Sequence, residues 1–191
     1  MEGMLPAGFS AACEGLIDCF RRGGKLLLCG NGGSAADCGH IAGEFLKSFL
    51  LPRSLPEELL DKLSFPQRDQ LQMGLPAIDL CSHGPAMTAI LNDQGGELIF
   101  AQQVMAFGRP GDMLLGISTS GNAKNVSFAM ETAKALGLTT IALTGKTGGR
   151  MASLCDILLN VEETETYLVQ QMHLHVYHQL CIAVEKAMFP A

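Results

Sequence analysis

Five short apolar runs set the terms on which this chain can fold. They are "KLLLCG" at 25–30, "PAIDLCS" at 76–82, "DMLLGIS" at 112–118, "TTIALTG" at 139–145 and "DILLNV" at 156–161. Each has the length and character of a strand buried on both faces. Helical patterns separate them near 34–48, 85–107, 122–136 and 146–154, and a long one closes the chain at about 166–188. Strands alternating with helices predict right-handed crossovers and an α/β fold: a doubly wound, five-stranded parallel sheet flanked by helices, flavodoxin-like in type. The 191 residues predict a single domain, with an N-terminal helix at about 6–22 and an insertion at about 48–74. Inside that insertion Ser54 and Glu57 stand at capping-box spacing and predict a short helix.

Ligands of such sheets sit beyond the carboxyl ends of the strands. Polar residues gather at those ends here. Asn31-Gly32-Gly33-Ser34 follows the first run, Ser82-His83 the second, Ser118-Thr119-Ser120-Gly121-Asn122 the third and Thr144-Gly145-Lys146 the fourth. The net charge of −6 gives no overall basic field, which argues against nucleic acid as a partner. An anionic ligand would have to be held locally, by backbone N–H groups and hydroxyls. Gly-Asn-Gly-Gly-Ser before a helix offers such a cradle, although Ser34 as a plain helix cap fits the same letters. The sequence is neither a Walker A loop nor a GxGxxG fingerprint. Three hydroxyls in Ser118, Thr119 and Ser120 exceed what one helix cap needs, and favour a phosphate site.

His40 and Glu44 lie four apart on the helix after the first turn, so they share a face. They can bind a metal, exchange protons or simply pair on the surface. The last helix reads "LVQQMHLHVYHQL", with Gln170, Gln171, His173, His175 and His178 among apolar neighbours. Gln170 and His178 are two turns apart, with faces differing by about a quarter turn. Solvent-facing histidines would be ordinary for His173 or His175, and less so for all three. Asn92-Asp93 in "LNDQGGELIF" is unfavourable inside a helix and predicts a break there.

Seven cysteines, none in a CxxC pair, predict reduced core thiols and a cytoplasmic setting. The first twenty residues lack the features of a signal peptide, and no run has transmembrane length. Hydrophobic residues make up 48% and charged residues 17%, a balance that predicts surface buried between subunits.

Taken together, "CGNGGSAADCGHIAGEF", "LGISTSGNAKNV", "TGKTGGRMA" and "VQQMHLHVYH" resemble the phosphoheptose isomerases of the SIS (sugar isomerase) group. The resemblance runs from about Gly24 to the end, interrupted by the insertion. It implies an aldose–ketose isomerase that interconverts sedoheptulose 7-phosphate and D-glycero-D-manno-heptose 7-phosphate through an enediol. It implies a Zn2+ site made by His40, Glu44, Gln170 and His178, with Glu44 as base and His178 as acid. It implies phosphosugar contacts from Asn31, Gly32, Gly33, Asn92, Asp93, Ser118, Thr119, Ser120 and Gln170, and a homotetramer with sites at subunit interfaces. The chain departs from the pattern at Ala123, where a serine is common, in its short N-terminal helix and in the insertion. Two alternatives stay open: a non-catalytic phosphosugar sensor or replication-initiation scaffold on the same fold, and an isomerase for another sugar phosphate. The full set of His40, Glu44, Gln170 and His178 argues for the enzyme.

Overall fold

A computed structural model describes residues 5–190. Its strands are β1 (Leu26–Gly30), β2 (Ala77–Asp79), β3 (Met113–Ser118), β4 (Thr139–Thr144) and β5 (Ile157–Asn160). Its helices are α1 (Phe9–Arg21), α2 (Gly33–Leu46), α3 (Glu57–Leu60), α4 (Gln67–Gln70), α5 (Gly84–Asp93), α6 (Ala101–Phe107), α7 (Lys124–Ala135) and α8 (Thr166–Met188). The strands form one sheet in the order β2-β1-β3-β4-β5, every neighbouring pair parallel.

The apolar runs are what a sheet covered on both faces requires. In β1, Leu26 and Leu28 pack with α1, α2 and α8, while Leu27 and Cys29 pack with α6 and α7. β3 divides in the same way, with Met113, Leu115 and Ile117 on the first face and Leu114 on the second. Gly116 belongs to the second face, where an added Cβ would stand 2.8 Å from Val126 Cγ1; the bare backbone lets α7 lie close. The chain leaves β1 in one direction toward β2 and returns to start β3 on the other side. The β1–β3 boundary is therefore the topological switch point, where a crevice opens at the strand ends.

The break that Asn92-Asp93 predicts inside 85–107 is present: α5 ends at Asp93, Gly95 takes φ +98° and α6 starts at Ala101. Two expectations need correction. The segment 146–154 holds only a 3-10 turn, Arg150–Ser153, after two left-handed glycines at 148 and 149. In the insertion α3 does form, but its N-cap position is Pro56 and Ser54 does not cap it. Neither α3 nor α4 buries a residue. The insertion closes on itself at its base, where Met73 N–H donates to the Arg53 carbonyl at 2.9 Å. Among the described residues, all seven cysteines are free and no helix is long and apolar enough to cross a membrane.

Candidate active site

The crevice at the β1–β3 boundary is walled by two turns. Gly32, with φ +57°, carries the chain from β1 straight into α2, so the positive end of that helix faces the crevice. No side chain caps it, Ser34 included. Nor does any side chain cap α7, whose N-cap position is Ala123, so the hydroxyls of the β3–α7 turn are not spent on that helix. The two turns are locked together: the side-chain amides of Asn31 and Asn125 exchange hydrogen bonds in both directions at 2.9 Å.

Between the turns lies a cavity of about 300 Å³, lined by Asn31, Gly33, Ser34, Ser118, Thr119 and Gln170 among others. Ser34 and Ser118 are only 4% and 7% exposed, yet both line it. Gln170 reaches in from α8 across Gly33, where an added Cβ would sit 2.4 Å from the amide nitrogen. Ser120 stands outside, exposed, its hydroxyl accepting the Asn122 N–H at 3.2 Å. Asn92 and Asp93 lie exposed at the end of α5, the Asn92 amide donating to the Asp93 carboxylate at 2.8 Å. They are not part of the cavity wall.

The second cluster lies further along α2. Glu44 Oε1 is 3.2 Å from His40 Nε2, and His178 Nε2 is 3.4 Å from that same nitrogen. The other side of the His40 ring is held by Tyr177, whose hydroxyl is 3.0 Å from Nδ1 and donates to Asp37 Oδ1 at 3.3 Å. With its proton committed to Asp37, the phenol accepts from His40 Nδ1–H. That makes Nδ1 a protonated nitrogen and turns Nε2 toward Glu44 and His178. Burial, with Asp37 alongside, pushes the Tyr177 pKa up, which keeps the phenol protonated. Burial also raises the Asp37 pKa, partly opposed by the Tyr177 hydrogen bond. At His178 burial lowers the pKa most, with Glu44 opposing, which favours the neutral ring.

Tyr177 reads in the sequence as one of the apolar neighbours along α8, and Asp37 is not among the candidate residues. An acid one turn before His40 was the available signal. His173 departs from the solvent-facing expectation. It is fully buried, and neither ring nitrogen has a hydrogen-bond partner among the described residues. Gln170 lies eight residues before His178, about 12 Å along the helix axis, beside Gly33 rather than beside His40.

The SIS domain model matches residues 70–145. A phosphoheptose isomerase from Nitratidesulfovibrio vulgaris is 45% identical over 168 residues, 88% of this chain and 72% of that one. Another, from Trichlorobacter lovleyi, is 43% identical over 99% of this chain and 87% of its own. The chain belongs to the phosphoheptose isomerase family. Among solved structures, the phosphoheptose isomerase of Neisseria gonorrhoeae superposes with a TM-score of 0.78 at 36% identity, covering 94% of this chain and 85% of that one.

In this phosphoheptose isomerase fold two places offer metal-ligand chemistry. At the first, His40 Nε2 stands 3.2 Å from Glu44 Oε1 and 3.4 Å from His178 Nε2, residue types that zinc accepts. Asp37 and Tyr177 supply the outer hydrogen bonds that orient a ligand histidine. A second group, Cys38, Asp79 and Cys81, brings its donor atoms within 4.8 Å of one another. Its atoms already have protein partners: Asp79 accepts from the Cys81 N–H and the Ser82 hydroxyl, and the Cys81 thiol donates to the Gly30 carbonyl. The second group is explained by the turn after β2; the first is more open, its three donor atoms not all falling within that distance.

The cavity gives a binding prediction. On the reading proposed below, in which the cavity holds the phosphate, Ser118→Ala will raise KM by roughly ten- to a hundredfold, the loss of one hydrogen bond to a charged group, about 1.5–3 kcal/mol. Ser120→Ala, outside the wall, will do less. Steady-state kinetics on both variants checks the order; equal effects would detach Ser118 from the phosphate.

Proposed function

We propose that this chain interconverts sedoheptulose 7-phosphate and D-glycero-D-manno-heptose 7-phosphate through an enediol. One observation carries the reading: His40, beside Glu44 on α2, meets His178 of α8, and the N-terminus of α2 opens into the hydroxyl-lined cavity. Phosphate binds at Asn31, Gly33, Ser34, Ser118 and Thr119. His40 lies seven residues beyond Gly33, about 10 Å along α2, a span that a seven-carbon sugar phosphate can bridge from its phosphate to C1 and C2. Asn92, Asp93, Gly32 and Ser120 lie outside the cavity wall and would touch substrate only if it extends past that wall.

Glu44 removes the carbon-bound proton at one of C1 and C2 and returns it at the other. His178, neutral at rest, takes the hydroxyl proton and gives it back on the neighbouring oxygen. His40, fixed by Tyr177 and Asp37, keeps its Nε2 toward both. Zn2+ is the cofactor we infer; His40, Glu44 and His178 would hold it, and when bound it would supply Lewis-acid stabilisation of the enediolate charge, while Glu44 and His178 carry protons only when they are not bound to it. Gln170, beside the cavity, serves the phosphosugar. The enzyme is cytoplasmic in this reading, in keeping with its free thiols.

The test is an isomerase assay over C5 to C7 sugar phosphates, with and without chelator. Turnover fastest with the heptose is the expected result. Turnover of none would favour the sensor or scaffold, and preference for a shorter sugar would favour the other isomerase.

Assembly is part of the proposal. α5 buries no residue within the chain, and Leu46, Leu50, Leu91 and Met105 are exposed. A homo-oligomer, a tetramer in this reading, would cover them by repeating one patch under closed symmetry. Light scattering at assay concentration should give a multiple of the chain mass; a monomer would remove the interface.

A further inference from the structure

Arg53 and Glu185 take no part in the chemistry above, yet they are only 2% and 1% exposed. A buried ion pair is costly to desolvate and persists where its remaining hydrogen-bonding capacity is filled. Here it is. Arg53 Nε and Nη2 lie 3.0 and 2.9 Å from Glu185 Oε1. Nη1 donates to the Phe45 carbonyl at 2.6 Å and Nη2 to the Glu44 carbonyl at 2.8 Å. Glu185 in turn accepts three successive backbone N–H groups, from Phe49 and Leu50 at 2.8 Å and Leu51 at 3.1 Å.

Those carbonyls belong to the last turn of α2, where a helix leaves its final C=O groups unpaired and its negative end unmatched. That turn carries no basic residue of its own. Arg53, from the chain beyond, supplies the cation and two of the missing donors. On α8, Glu185 follows His178 by seven residues, so the two lie on nearly one face about 10 Å apart. α2 is thus held to α8 at two points, at His40 with His178 and again where Arg53 bridges Glu44 and Phe45 to Glu185.

We propose that Arg53 and Glu185 are positioning residues, a latch that fixes the last turn of α2 against α8 and so sets where Glu44 stands relative to His178. The same latch anchors 49–51, the foot of the insertion, so the excursion from 54 to 72 leaves the site geometry alone. This rests on the reading of Glu44 and His178 as the proton-handling pair.

The test is the double variant Arg53→Met/Glu185→Leu, which removes both charges together and refills the space with apolar volume. It should fold and bind substrate with KM nearly unchanged, while kcat falls by roughly ten- to a hundredfold, the cost of slight misplacement of a reacting group. Amide exchange over residues 44–53 should quicken about tenfold or more as that turn loosens. Arg53→Lys keeps the charge but cannot span both carbonyls and the carboxylate, and should fall between. A folded double variant with wild-type kcat, or with wild-type exchange over 44–53, overturns the latch. Should the double variant not fold, Arg53→Lys decides by the same two readouts. Wild-type protein that turns over no sugar phosphate overturns the functional reading instead, and the exchange measurement then decides the latch alone.

Discussion

Glu44→Gln will lower kcat by about two to four orders of magnitude, the usual contribution of acid–base catalysis, and leave the fold intact. The carboxylate is largely covered, with 15% of the side chain exposed, and lies 3.2 Å from His40 Nε2. Its neighbours in the core, Ile41 and Phe45, are fully buried and do the packing. An amide of the same size therefore keeps the helix and its contacts while removing the group that can accept a carbon-bound proton. KM should move little, because the phosphate cavity lies about three turns away at the other end of α2. Steady-state kinetics beside circular dichroism checks both halves. Near-normal turnover would take Glu44 out of the base role, and an unfolded variant would contradict the packing argument.

The second large effect is on stability in acid. His173 is buried against β4, and burial lowers its pKa from 6.5 to about 4, opposed by the Thr144 backbone nearby, although neither ring nitrogen has a hydrogen-bond partner of ordinary geometry. An unfolded chain would protonate this ring near 6.5 while the folded chain resists until about 4. Between those values the unfolded state binds the extra proton. The contribution is therefore fully present above about pH 6.5 and is lost as pH falls toward 4. The linkage amounts to about 3 kcal/mol across the window. Urea midpoints measured from pH 7 to pH 4 should fall for the wild type and fall less steeply for His173→Leu, which replaces the ring with an apolar side chain. Parallel curves for the two proteins would show that the ring finds a partner or stays wet.

The strand pattern was legible because each run is apolar at consecutive positions, a local property that needs no knowledge of neighbours. The same holds for α8, predicted over about 166–188 and found as Thr166–Met188. The two polar turns were legible for a related reason. Gly-Asn-Gly-Gly-Ser and Ser-Thr-Ser-Gly-Asn are too rich in glycine and hydroxyl to be ordinary helix starts, and parallel topology puts such turns at one edge. The break inside 85–107 was legible too, because Asn92-Asp93 is a poor helix interior, and α5 ends there.

Other features belong to the tertiary structure alone. His173 and His175 sit in the same apolar stretch; which of them is buried depends on the rotation of α8 against the sheet, which no local pattern sets. Tyr177 reads as another large apolar residue until its hydroxyl is found between Asp37 and His40. His40 and His178 are 138 positions apart, and only the order β2-β1-β3-β4-β5 lays α2 beside α8 so that their rings meet. Arg53 lies in the stretch that looked like an interruption of the fold. It became part of the site's support because a helix end needs donors and a cation, and the folded chain delivers both from a distance that sequence spacing does not reveal.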